Sequence, residues 1–184
     1  GRTAGQTERL RSKEGVALMQ LDEFFNYKNQ LMNDLMTSEQ IVCLLNDSEE
    51  VRCDPEQLVY SQVFPYEYVP DTIVHGQTFI CCDVDIQRVE SKTFLRPTLY
   101  IWVFTHKSKM RLPEGGVRVD KLCAEIAKKI NGSRYYGLGE LEFMSSRRFA
   151  PITDYQGKVL TFQARDFNRL SPSGRSAPSN RRSG

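Results

Sequence analysis

The segment TLYIWVFTHKS, Thr98 to Ser108, is apolar on both faces of a two-residue period. Leu99, Ile101 and Val103 fall on one side, and Tyr100, Trp102 and Phe104 on the other. A strand of this kind has to be covered twice, so it belongs in the middle of a sheet with material packed above and below. The rest of the chain must therefore supply flanking strands and at least one covering layer.

Flanking strands are legible on either side of it. In TFICCDVDIQR, Ile80, Cys82, Val84 and Ile86 line one face while Cys81, Asp83 and Asp85 line the other. After a loop with Pro151, Asp154 and Gly157 comes KVLTFQARDF, where Leu160, Phe162 and Ala164 share a face. In LGELEFMSS, Leu141 and Phe143 alternate with Glu140 and Glu142. LVYSQVFPYEYVPDTI is β-branched and aromatic but broken by Pro65 and Pro70, so it is expected to be an edge strand running into irregular chain.

The covering layer is helical. Val119, Leu122, Cys123, Ile126, Ala127 and Ile130 make one stripe at helical spacing, Lys128 and Lys129 suit the negative end of the dipole, and Asn131-Gly132 offers a stop. Leu21, Phe24, Phe25, Leu31, Met32 and Leu35 predict an earlier helix with Asp22 and Glu23 near its start. Thr37 or Ser38 can cap a short second helix through Ile41, Val42, Leu44 and Leu45, ended by Asn46-Asp47-Ser48. The expected fold is α+β: a mostly antiparallel sheet with helices packed on one face.

At 184 residues the chain suits a single core, placed at 19–170. Residues 1–18 are polar and aperiodic. Lys13-Glu14-Gly15-Val16 can be back-translated into a purine-rich ribosome-binding sequence just before Met19, so this extension is read as sequence upstream of a start at Met19. From 171 to 184 the composition falls to Ser, Arg, Pro, Gly, Ala and Asn, expected to be a flexible basic tail. Of the net charge of +2, the extension holds +2 and the tail +3, which leaves −3 on the body. Bulk charge thus gives no sign of a folded nucleic-acid-binding face. Five cysteines, Cys43, Cys53, Cys81, Cys82 and Cys123, are odd in number and lack CxxC spacing, so they are expected to be reduced and mostly in the core. No apolar run reaches the roughly 20 residues of a membrane span and nothing resembles a signal peptide, so a soluble protein is expected.

Catalytic patterns are weak. KKINGSRYYGLGELEF carries Gly132, Gly137 and Gly139, but they follow a helix and lead into a strand, the wrong dipole end for a phosphate. A structural corner is the better reading, with Tyr135 and Tyr136 as flat amphipathic surface. His75 and His106 have no Cys or carboxylate partner at motif spacing, and no metal or cofactor is expected. Asp83 and Asp85 share a face, which keeps a Mg²⁺-dependent nuclease as a minor alternative, one that Asp83→Asn would inactivate. The loop THKSKMRLPEGGVR gathers His106, Lys107, Lys109, Arg111 and Arg118 around a pliant Gly115-Gly116. It is either a solvated loop or a basic surface facing a polyanion or an acidic neighbour subunit, to which Arg147 and Arg148 could add.

Four stretches carry a resemblance: FFNYKNQLMNDLMTSEQIVCLLND, LVYSQVFPYEYVP, YIWVFTHKSKMRLPEGGVRVDKLC and INGSRYYGLGELEF. Through them residues 19–170 resemble the small neck and tail-completion proteins of long-tailed bacteriophages and prophages of Gram-positive bacteria. The element order is similar to that of tail terminators, where a helix, a sheet hairpin, a helix lying on the sheet and two closing strands build one subunit of a hexameric ring. The resemblance implies a structural virion protein without enzymatic activity, assembled in the host cytoplasm and located in the neck. Such a ring sits on the last ring of tail-tube protein, halts tube growth and offers a surface to the head-closure proteins, with genomic DNA passing through its lumen. It would place the basic loop (His106, Lys107, Lys109, Arg111, Arg118) or the hairpin arm Gln87–Pro97 toward the lumen or a neighbouring ring, and Tyr135, Tyr136, Arg147 and Arg148 at an interface corner. Another neck component, a head-closure or adaptor protein, is the runner-up; a DNA-binding module is a third reading.

Overall fold

The computed structural model describes residues 25–46, 54–69, 76–91, 94–136 and 139–167. The extension 1–18, Leu21, Phe24, Cys53, His75, Gly137 and the tail from 171 lie outside the described residues. Helices α1 (25–36), α2 (Glu39–Asn46) and α3 (Pro55–Leu58) precede strands β1 (Val63–Phe64), β2 (Thr78–Ser91) and β3 (Phe94–His106). A 3₁₀ turn at Lys107–Lys109 leads to α4 (Arg118–Ile130), β4 (Glu140–Phe149) and β5 (Tyr155–Phe167). The fold is α+β. None of the described helices is long and apolar enough to cross a membrane.

The five strands lie in the order β1-β2-β3-β5-β4, so the doubly apolar β3 occupies the centre. β2–β3, β3–β5 and β5–β4 are antiparallel, while β1 runs parallel to β2 through Val63 opposite Ile80 and Phe64 opposite Cys81. β3 starts at Phe94 and contains Pro97. Proline has no N–H to give a ladder, and the β3–β5 pairing skips from Leu95–Asp166 to Thr98–Gln163 across it.

Alternation sorts the sheet into two faces. On one, Ile80, Cys82, Leu99, Ile101, Val103, Leu160 and Phe162 pack against Leu31, Met32 and Leu35 of α1, Ile41 and Leu45 of α2, and the α4 stripe Val119, Leu122, Ile126 and Ile130. Each such side chain, taken out of water, contributes about 1.5–3 kcal/mol, which is why three amphipathic helices stay on this sheet. On the other face, Phe64, Phe79, Cys81, Phe104 and Tyr155 form a smaller aromatic cluster with Tyr68 and Phe149 at its margin. Phe64 stacks on Tyr68 with ring centroids 4.2 Å apart. Cys81 and Cys82 thus point into different clusters, as adjacent strand residues must.

Two expectations change and one element is new. On the second face the described residues cover β3 incompletely: Tyr100 and Trp102 stack on each other at 5.8 Å and remain half-exposed. The edge strand expected in LVYSQVFPYEYVPDTI shrinks to two residues. Ahead of it stands α3, where Asp54 accepts a hydrogen bond from the Glu56 N–H and Pro55 occupies the first turn.

Candidate assembly surfaces

The residues of the basic loop divide into buried and exposed. Arg118 is 5 % exposed. Its Nε donates to the Lys109 carbonyl and its NH1 to the Leu44 carbonyl, both at 2.8 Å. It fastens the end of α2 to the loop and is corrected here from surface cation to internal brace. A second buried polar residue does the same work beside it: Gln62 Nε2 donates to the Leu45 carbonyl at 3.0 Å and to the Thr78 carbonyl at 2.8 Å. The last carbonyls of a helix have no partner within it, and these two side chains supply one.

The loop is also tighter than its glycines suggested. Leu112 N–H bonds the Gly116 carbonyl, Gly115 N–H the Leu112 carbonyl and Arg118 N–H the Met110 carbonyl, with Gly115 and Gly116 both at positive φ. Lys107 pairs with Asp154 at 2.5 Å, and that hydrogen bond holds the Asp154 carboxyl below its ordinary range. Lys121 does the same for Glu114 at 2.6 Å. His106 caps the 3₁₀ turn: its Nδ1 lies 2.7 Å from Ser108 Oγ and accepts from the Ser108 N–H. Arg111 stays exposed.

Tyr135 and Tyr136 part company as well. Tyr135 is 70 % exposed and Tyr136 is 2 % exposed. The Tyr136 hydroxyl donates to Asp34 Oδ2 at 2.6 Å, and burial, then that bond, raises its pKa. Lys129 pairs with Asp34 Oδ1 at 3.1 Å. Tyr136 is therefore corrected from interface candidate to the peg that pins the corner onto α1. Gly132, at φ 77°, ends α4 in the left-handed conformation expected of it, and its N–H bonds the Leu141 carbonyl.

The expected grouping of this corner with Arg147 and Arg148 does not survive. The corner abuts the start of β4, and Arg147 lies seven residues further on, about 23 Å along the strand. Arg147 and Arg148 instead sit at the end of the sheet that carries the basic loop, since Phe149 pairs with Gly157 and His106 with Tyr155. Both are exposed. Cross-strand pairing puts Arg147 opposite Val159, which lies opposite Trp102, on the face away from the helices.

Asp83 does not stand as an acid–base pair with Asp85. Its Oδ1 receives Lys28 Nζ from α1 at 3.1 Å and its own neighbour's N–H, Val84, at 2.8 Å. Among the described residues, no three His, Cys, Asp or Glu side chains gather as a metal would require. Burial pushes the Cys81, Cys82 and Cys123 thiols up to about 12, whereas Cys43 is exposed.

Of these features, periodicity could not have announced Gln62, which looked like one polar residue in an irregular stretch. Among the described residues, the second sheet face around Tyr100, Trp102 and Arg147 and the outer edges of β2 and β4 are left without a covering element. No curated protein matches the chain. The family model YomW matches residues 20–164, nearly the whole folded body, and the chain belongs to this phage- and prophage-associated family.

Proposed function

We propose that this chain is a tail terminator, a non-enzymatic virion subunit whose ring caps the tail tube and joins it to the neck. The observation that carries the reading is the element order: helix α1, the β2–β3 hairpin, α4 lying on the sheet, then the closing strands β4 and β5. Membership of a phage-associated family over residues 20–164 supports it. So does the use made of the charged side chains. Asp83 is engaged by Lys28, Lys107 by Asp154 and Arg118 by backbone carbonyls, which fits a scaffold better than an acid–base site. A ring subunit needs two unlike contact surfaces, because a heterologous contact repeated about a closing axis makes a ring with a lumen. In this ring the end of the sheet that carries Lys109 and Arg111 is suited to the DNA lumen or to the next ring.

The test is growth of tail tubes. Added to polymerising tube protein from the same phage, the chain should bind at one end and fix tube length. Tubes that lengthen past bound chain, or chain that never associates with tubes, would remove the reading. Binding to isolated portal or connector rings instead would move the chain to the head side of the neck.

A further inference from the structure

Among the described residues the sheet finishes in two unlike edges, each without a further strand over part of its length. β1 covers β2 only at Ile80 and Cys81. The Ile80 N–H points outward to the Gln62 carbonyl, so alternation makes Cys82, Val84 and Ile86 the next outward-facing residues on this edge. No described strand pairs with it beyond Cys81, and the Val84 N–H is held by the Asp83 carboxylate beside it.

The outer edge of β4 is closed at its start and open at its end. Leu141 N–H bonds the Ser133 carbonyl and Phe143 N–H bonds Asn131 Oδ1. The bulge between Phe143 and Ser145 then resets the alternation. Beyond it Ser146, opposite Leu160, and Arg148, opposite Lys158, turn their backbone groups outward, and no described strand meets them.

Resting on the ring reading, the geometry points to a joint in which the β4 edge of one copy pairs with the β2 edge of the next, making one sheet continuous around the ring. β2 and β5 run one way and β3 and β4 the other, so copies sharing one orientation meet in the antiparallel sense. The alternation on both edges is satisfied when Ser146 faces Ile86 and Arg148 faces Val84 as backbone-bonded pairs. Arg147 then lies opposite Asp85 in the non-bonded position between them, where side chains approach most closely. Both residues are exposed and both are on the face away from the helices. On forming the joint, the Asp83 carboxylate releases the Val84 N–H to the Arg148 carbonyl.

Charge selects this pairing over the alternative. Arg147 and Arg148 repel a second β4 edge, as Asp85 repels a second β2 edge, so neither symmetric dimer is favoured. The β2–β4 contact is the complementary one, and it is heterologous, which is what closes rings.

Ser146→Pro tests it, because the Ser146 N–H faces away from β5 and the subunit's own ladder does not use it. The variant should keep the wild-type melting temperature to within a few degrees yet need at least about tenfold more protein to form rings, free or on tube tips, since every joint loses a backbone donor and gains a clash. Arg147→Asp and Asp85→Arg should each weaken the joint about 2- to 5-fold, and the combined variant should regain assembly. Ser146→Pro rings indistinguishable from wild type would overturn the edge pairing and leave the ring reading standing. If Ser146→Pro fails to fold, absence of rescue in the charge-reversed pair overturns it. Failure of the wild type to form rings in any setting would instead overturn the ring reading, and this joint with it.

Discussion

Replacing Arg118 with alanine removes the donors from two carbonyls at once, Leu44 at the end of α2 and Lys109 at the start of the loop. Hydrogen bonds from a charged donor contribute about 1.5–3 kcal/mol each, and buried acceptors left without them keep their desolvation cost. The expected loss is therefore about 3–5 kcal/mol, against a total stability of about 5–15 kcal/mol for a domain. At about 2–4 °C per kcal/mol for this chain length, the melting temperature should fall by about 6–20 °C. Urea unfolding followed by the fluorescence of Trp102 gives the number directly, with equal slopes required before midpoints are compared. Arg118→Lys keeps the charge, but one ammonium cannot span what the guanidinium fork reaches, so it should recover no more than about half of the loss. A stability of Arg118→Ala within about 0.5 kcal/mol of wild type, the usual range for surface positions, would refute the brace.

Gly157 lies opposite Phe104, and a Cβ there would stand 2.0 Å from the Val103 carbonyl oxygen and 2.6 Å from the Phe104 Cα. Gly157→Ala should cost about 2–4 kcal/mol through displaced backbone, and an unchanged urea midpoint would contradict that close approach. Tyr136→Phe should cost about 1–2 kcal/mol by deleting the bond to Asp34, with α1 showing faster amide exchange; equal exchange in both proteins would argue that the corner does not pin α1. Stability should also fall on the alkaline side. The Cys81, Cys82 and Cys123 thiols sit at about 12 in the folded chain against an ordinary value near 9, so their contribution is whole below pH 9 and lost as pH rises toward 12. Three protons retained only by the folded state make stability fall with rising pH, by at most about 4 kcal/mol per pH unit midway through that window. A urea midpoint that stays level from pH 9 to 11 would contradict their burial.

What could be read from the sequence was local. β3 and α4 announced themselves because two-residue and helical periods are set by neighbours along the chain, and the stripe Val119 to Ile130 lies on the sheet as its spacing required. The two-residue parallel β1 depends on distant β2, and no local pattern fixes such a pairing. α3 does carry a local signal, Asp54 before Pro55, but it is a single turn ahead of a segment dominated by aromatic residues. The candidate surfaces fared worst where a polar residue had been drawn inside. Arg118 and Tyr136 looked like loop cation and exposed ring, and only the distant carbonyl of Leu44 and carboxylate of Asp34 reveal their work. Tyr100 and Trp102 show the same limit from the other side. An apolar face says that it wants cover, and it does not say whether the chain itself or another copy provides it.

The most direct measurement is image averaging of tail-tube tips after addition of the purified chain, with native mass giving the number of copies bound. A closed ring of this chain at one end of each tube is the expected result. A monomer decorating tube walls, or tips left bare while the chain remains monomeric in solution, would contradict the terminator reading.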